Sequence, residues 1–306
     1  MAKTALVTGA HGFLGRHVAS LLAAEGWTVV GLGHGEWPSQ QDPGQWGIAA
    51  WHGGDVTVAS LFACGVIPDA LVHCAGSGSV AFSIDSPYQD FQRTVATTLE
   101  VLEFVRLHAP GARVVYPSSV SVYGNVKKLP IDETAELQPY SPYGVHKLMA
   151  EELCRSYSKT YGVLTAVVRF FSIYGTGLRK QLLWDACQKT LRGEATFFGT
   201  GEETRDWLHI SDAAHLLAMG IEHASVESPA VNGGVGDGVT VREILQELFL
   251  CLGQTGKPVF NGLVRSGDPA HYIADTARVR AWGWQPQVNW RDGIREYADW
   301  FRGVAS

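Results

Sequence analysis

The chain has 306 residues, 46% of them aliphatic or aromatic and 18% charged, with a formal net charge of −6. This composition suits a folded protein with a full core, excludes a disordered chain, and gives no electrostatic reason to expect nucleic acid or an anionic membrane as partner. Five scattered cysteines without CxxC spacing (Cys64, Cys74, Cys154, Cys187, Cys251) read as buried free thiols, and no stretch has the length of a signal core or a membrane span, so a cytoplasmic protein with no metal site is expected.

In chain order, apolar runs of strand length alternate with amphipathic stretches of helix length. TALV (4–7) leads to a helix over 12–25, and TVVGL (28–32) to a polar, turn-rich loop within 31–47. IAAWHG (48–53) comes next. ALVHCAG (70–76) precedes a long helix over 87–108, RVVYPSS (113–119) a helix over 141–161, and TAVVRFF (165–171) follows. Near-continuous apolar strands separated by helices indicate a parallel sheet covered on both faces. Right-handed crossovers make this a Rossmann-type doubly wound α/β sheet, with ligands at the carboxyl ends of its strands. After residue 175 the alternation loosens into helices near 179–192, 211–223, 240–252 and 290–302, with short strands such as ATFFG (195–199). Residues 1–174 are therefore expected to form a dinucleotide-binding domain, and 175–306 a smaller mixed α/β substrate-binding lobe from which the chain crosses back.

The segment LVTGAHGFLGRHV (6–18) places Gly9, Gly12 and Gly15 between strand and helix. Glycine is costly there unless the backbone must be bare. A helix N-terminus offers free N–H groups and partial positive charge, so a pyrophosphate can rest on it where no Cβ intervenes. Gly9 and Gly12 would permit the turn and the close approach, and Gly15 the packing of helix on strand. An acid ordinarily ends the second strand and bonds the adenosine ribose hydroxyls. Here Gly33 stands in its place in VVGLGHGE. Without that carboxylate a 2′-phosphate is not repelled and His34 can sit beside it, so NAD and NADP are both expected. Asp55 after the third strand reads either as an adenine contact or as a helix cap.

SPYGVHK puts Tyr143 and Lys147 four residues apart on one helix face. A phenol is only about 0.1% ionised at neutral pH. An ammonium about 4 Å away, at an effective dielectric near 20, favours the phenolate by about 4 kcal/mol before solvent screening. The phenol could then take a hydroxyl proton as hydride leaves. YxxxK alone recurs by chance in helices, but YPSSVSVYG (116–124) brings hydroxyls to the same sheet edge.

Together TGAHGFLG, LVHCAG, PSSVSVYG, SPYGVHK, VVRFFSIYG, TRDWLHISDAA and RSGD resemble an extended short-chain dehydrogenase/reductase of the NAD-dependent epimerase/dehydratase family, over nearly the whole chain. The resemblance implies a catalytic set of Ser119, Tyr143 and Lys147, with Ser118 and Ser121 as close alternatives to Ser119. It implies a cofactor site of Gly9, His11, Gly12, Phe13, Leu14, Gly15, His34, Asp55, Val56, Cys74, Ala75, Gly76 and Phe170, with Tyr143 and Lys147. For a nucleoside diphosphate sugar it implies Ser119, Ser172, Gln181, Leu182, Thr196, Phe198, Arg205, Arg265 and Asp268, the arginines suiting phosphate and the aspartate ribose hydroxyls. A surface salt bridge is the plainer account of any lone Arg–Asp pair, and Asp206 reads as structural. A homodimer through the helices at 87–108 and 141–161 is also implied.

Three positions depart from the family pattern: Gly33, and Thr94 and Ser172 where asparagine is common. Val120 and Ser121 stand where sugar dehydratases of the family carry an Asp–Glu pair, which puts dehydration last. The expected function is an NAD(P)-dependent nucleotide-sugar epimerase acting by transient C4 oxidation. The alternatives are an NADPH-dependent reductase of a 4-keto-6-deoxy nucleotide sugar and, of another class, a non-catalytic cofactor-binding regulator.

Overall fold

The computed structural model describes residues 2–37, 42–263 and 270–305. In chain order these form β1 (Thr4–Thr8), α1 (Phe13–Ala24), β2 (Thr28–Gly33), β3 (Ile48–Gly53), α2 (Val58–Ala63), β4 (Ala70–His73), α3 (Val80–Asp85), α4 (Pro87–Phe91), α5 (Thr97–His108), β5 (Arg113–Ser119), α6 (Pro142–Tyr161) and β6 (Leu164–Phe170). Then follow β7 (Ser172–Tyr174), α7 (Gln181–Leu191), β8 (Thr196–Phe197), β9 (Thr204–Arg205), β10 (Trp207–His209), α8 (Ile210–His223), β11 (Ala230–Gly233), β12 (Val239–Thr240), α9 (Val241–Cys251), β13 (Val259–Phe260), α10 (Ala277–Ala281) and α11 (Trp290–Ala305).

A seven-stranded sheet has the order β11-β6-β5-β4-β1-β2-β3, and its pairs from β3 to β6 are parallel. The reversal beside β1 makes it doubly wound, so the expected fold class holds. Leu6, Val30, Leu71, Val114 and Val167 from successive strands are all buried in one apolar cluster with Val101, Leu102, Phe104 and Val105 of α5. Burying whole Val and Leu side chains, about 1.5–3 kcal/mol each, is what drives such runs into central strands.

Contacts group residues 1–124, 136–170 and 214–231 as one compact unit, and 125–135, 171–213 and 232–306 as a second. The second unit holds three two-stranded pairings, β10-β7, β12-β9 and β13-β8. α9 opens with a capping box between Thr240 and Glu243.

Several elements differ from expectation. The loop within 31–47 contains a 3₁₀ turn at Pro43–Trp46, capped by Asp42. The helix expected over 87–108 is α4 and α5 joined by a π turn at Gln92–Ala96. The short elements α2, α3, α10 and β11 were not foreseen. Among the described residues no helix is long and apolar enough to cross a membrane, and no group of three His, Cys, Asp or Glu side chains is placed to hold a metal.

Candidate active site

After β1 the chain turns through Gly9, whose φ of 67° lies in the left-handed region. A Cβ on Gly9 would stand 2.6 Å from the Ala75 nitrogen, and one on Gly15 2.3 Å from the Gly9 carbonyl oxygen. Those two glycines are dictated by packing between turn, helix and the end of β4. Gly12 differs, because a Cβ there would meet only the Gly9 oxygen, at 3.0 Å. As N-cap of α1 it offers no side-chain cap, and the first turn, which Phe13 and Leu14 open, carries no acid. The helix thus presents unsatisfied N–H groups and its positive end to bare space, a cradle that fits a pyrophosphate.

The neighbouring strand ends converge on this turn. The Gly9 nitrogen donates to the Leu32 carbonyl at 2.7 Å, and the Gly54 nitrogen to the Gly33 carbonyl at 2.9 Å. The Ala75 nitrogen donates to Thr8 Oγ1 at 3.3 Å, which draws Cys74, Ala75 and Gly76 alongside. His11 meets the Trp37 ring edge-on, with centroids 4.8 Å apart. His34 Nε2 lies 2.7 Å from Asp55 Oδ1, and Val56 next to it is buried. The open question about Asp55 is resolved in part, since Thr57 and not Asp55 caps α2.

The catalytic candidates gather at the same carboxyl edge of the sheet, where Ser119 ends β5 opposite buried Phe170 of β6. Of the three serines weighed, Ser118 donates to Glu151 at 2.5 Å, while Ser119 bonds the Tyr143 phenol and donates to Ser121 Oγ at 3.2 Å. Tyr143 stands in the first turn of α6, which begins with a Ser141 cap and Pro142. Its backbone nitrogen donates to Ser83 Oγ at 3.0 Å. Lys147, one turn on, is buried. Its ammonium donates to the Pro117 carbonyl at 2.9 Å and lies 4.8 Å from the Tyr116 ring centroid and 5.9 Å from that of Tyr143.

Burial pushes the Tyr143 phenol above its usual range, with the Ser119 bond pulling it down and the Asp90 charge adding to the rise. Burial also brings the Lys147 amine down to about 8.

The remaining candidates lie in the second unit. Ser172 opens β7, and its nitrogen donates to the Asp206 carbonyl at 2.9 Å. Gln181 starts α7 with a φ of 67°, and half-buried Leu182 follows it. Thr196 and Phe198, on either side of buried Phe197, are exposed. Arg205 donates to the carbonyls of Thr204 at 2.9 Å and Ala270 at 3.0 Å, with its guanidinium 5.7 Å from the Tyr272 ring centroid. Its neighbour Asp206 is buried and accepts from the nitrogens of Val235, Gly236 and Ala274 at 2.6, 2.9 and 3.1 Å, the work of a structural anchor. Arg265 and Asp268 lie outside the described residues.

Sequence reasoning missed two buried polar groups beside this set. Asp90, fully buried, meets Nδ1 of His146 at 2.5 Å, and His146 precedes Lys147 on α6. Glu151 binds Arg169 at 2.7 Å, and Arg169 in turn donates to the Tyr123 hydroxyl at 3.0 Å. The visible signal was an arginine inside the apolar strand VVRFF, since a buried cation demands a buried anion. Thr94, which stands where asparagine is common in the family, accepts from the Ser77 nitrogen at 3.4 Å.

Known proteins resemble this chain over nearly its whole length. UDP-glucose 4-epimerase of Azospirillum brasilense is 31% identical, over 98% of this chain and 92% of its own. CDP-paratose 2-epimerase of Salmonella typhi is 28% identical, over 98% of this chain and 99% of its own. The structure of UDP-glucose 4-epimerase from Thermotoga maritima with UDP-glucose superposes with a TM-score of 0.89 at 26% identity, covering 99% of this chain and 100% of the other. A model of the NAD dependent epimerase/dehydratase family matches residues 5–234, which take in the glycine turn, Ser119, Tyr143 and Lys147. With strand order, glycine turn and family pattern in agreement, the chain belongs to the NAD dependent epimerase/dehydratase family.

Proposed function

We propose that this protein is an NAD(P)-dependent epimerase of a nucleoside diphosphate sugar that inverts a carbinol carbon, C4 in the first instance, by transient oxidation. The observation that carries this reading is one constellation: a phenol bonded to a serine hydroxyl, with a buried ammonium one helical turn away, at the sheet edge where a helix N-terminus is left bare. Relatives that act on UDP- and CDP-sugars support the substrate class.

Gly9, Gly12, Phe13, Leu14 and Gly15 would hold the pyrophosphate, Asp55 and Val56 the adenosine, and His11, Cys74, Ala75, Gly76 and Phe170 would line the rest of the cofactor. A nicotinamide bound there would supply reversible hydride acceptance from the sugar carbon. Tyr143 takes the proton of the sugar hydroxyl and gives it back once the 4-keto sugar has presented its other face. Positioned proton transfer of this kind contributes about 10²–10⁴-fold. Ser119 aligns the hydroxyl with the phenol. Lys147 holds the nicotinamide ribose and lends positive charge. Ser172, Gln181, Leu182, Thr196, Phe198 and Arg205 are assigned to the nucleotide and sugar, and Arg265 and Asp268 to the diphosphate and ribose.

Incubation with UDP-, CDP-, GDP- and dTDP-sugars tests the reading. Interconversion of epimers without net cofactor change is expected, and no turnover of any of them would contradict it. Gly33 favours one second reading, an NADPH-dependent ketoreductase, which predicts net oxidation of added NADPH instead.

The protein also pairs through α5 and α6. Val95, Val145, Leu148, Met149 and Leu153 line an apolar groove along them, and Leu99, Val145 and Met149 are exposed. A self-complementary helical face suits a two-fold dimer. Light scattering should give twice the chain mass of 33.2 kDa, and a monomer at micromolar concentration would refute it. Five free cysteines suit a reducing cytoplasm.

A further inference from the structure

We propose that the adenosine end of this site accepts a phosphate on the ribose 2′-oxygen, so that NADP binds no more weakly than NAD, with His34 as the side chain that meets the phosphate. The inference rests on the dinucleotide reading of the glycine turn and deepens it, because that reading leaves the 2′ position open.

Rejection of the 2′-phosphate ordinarily comes from a carboxylate at the end of the second strand, which accepts from the ribose hydroxyls and repels an anion. Here β2 ends in Gly33, which has no side chain. Nor can an aspartate simply be restored there. Gly33 has a φ of 156°, and a Cβ on it would stand 3.2 Å from the Gly9 nitrogen and 3.7 Å from the Trp51 ring. A side chain at this position would press on the backbone of the glycine turn.

What leaves the strand end instead is His34. Its Nε2 faces Asp55 Oδ1 at 2.7 Å, and both side chains are largely exposed. Both nitrogens of an imidazolium donate, so Nε2 can stay on Asp55 while Nδ1 turns to a phosphate oxygen, a charge-assisted bond. The turn that carries His34 is held on the glycine loop: a Cβ on Gly35 would lie 2.5 Å from His11 Nδ1. Behind it the Arg16 guanidinium grips the His11 carbonyl and lies 5.9 Å from the Trp37 ring centroid and 5.1 Å from that of Trp46. Two carboxylates oppose an anion here, Asp55 and Glu36. Both are exposed and screened by solvent, and Asp55 is already engaged by the imidazole.

Calorimetric titration of the whole chain with 5′-AMP and with adenosine 2′,5′-bisphosphate tests the proposal without sugar or hydride transfer. The bisphosphate should bind at least as tightly as AMP. His34→Ala should weaken the bisphosphate about tenfold, leave AMP within about twofold, and leave the thermal midpoint unchanged. A bisphosphate that binds more weakly than AMP, or a His34→Ala variant that binds both as the parent does, overturns the proposal while AMP binding still upholds the dinucleotide reading. Binding of neither ligand overturns both.

Discussion

Lys147 shows how one buried group can favour stability and function at different pH. Burial holds its amine near 8, well below the usual lysine range. From about pH 8 up to that range the unfolded chain binds the proton and the folded chain does not. Stability therefore rises with pH across this window, and the cost of burying the charge is fully present below it. In the proposed mechanism the ammonium is the form that serves the ribose and the phenolate, so turnover should fall above about pH 8 while this group's contribution to the melting midpoint rises. Lys147→Met should lose most activity and melt higher at neutral pH, because an apolar chain of similar length replaces a buried cation. Turnover and melting profiles of both proteins across this range check the two opposite slopes. A wild-type turnover flat to pH 10 would show that the ammonium is not needed.

At the scale of elements, the glycine turn separates packing from binding. Gly15→Ala drives a Cβ to 2.3 Å from a backbone oxygen, an overpacking that costs about 1–3 kcal/mol. Gly12→Ala meets only one atom at 3.0 Å but fills the space before the helix N-terminus. The first variant should melt lower, and the second should keep most of its stability yet lose affinity for 5′-AMP and NAD. Melting curves and calorimetry of the pair test this, and equal loss of stability would refute it.

The same turn was legible in the sequence because its cause is local: strand, glycine spacing and helix are contiguous. TALV, TVVGL and RVVYPSS were legible because buried central strands are apolar on both faces. The π turn at residues 92–96 was not, since helical periodicity reads the same through one widened turn. Nor was α2, six residues whose start is fixed by the Thr57–Ser60 capping box rather than by an apolar stripe.

Across the whole molecule, legibility falls from the first unit to the second. β8, β9, β12 and β13 have two residues each, too few for any period to register. Bonds that hold the second unit are long-range, as where the Asp206 carboxylate accepts from the nitrogens of Val235, Gly236 and Ala274. The structure brings Ser119 to Tyr143, while the path of the Lys147 amine to the Pro117 carbonyl depends on a strand thirty residues away. With a net charge of −6, the chain as a whole does not attract an anion, so the proposed nucleotide would depend on local donors such as the bare helix N-terminus.

The most direct test replaces the phenol. Tyr143→Phe keeps the ring and its packing and removes only the oxygen that is to carry the proton. Steady-state turnover of this variant with the preferred nucleotide sugar, beside a melting curve and a 5′-AMP titration, should show kcat down about 10²–10⁴-fold with fold and AMP affinity intact. Turnover within a few-fold of the parent would contradict the assignment of Tyr143 as acid and base, and with it the mechanism.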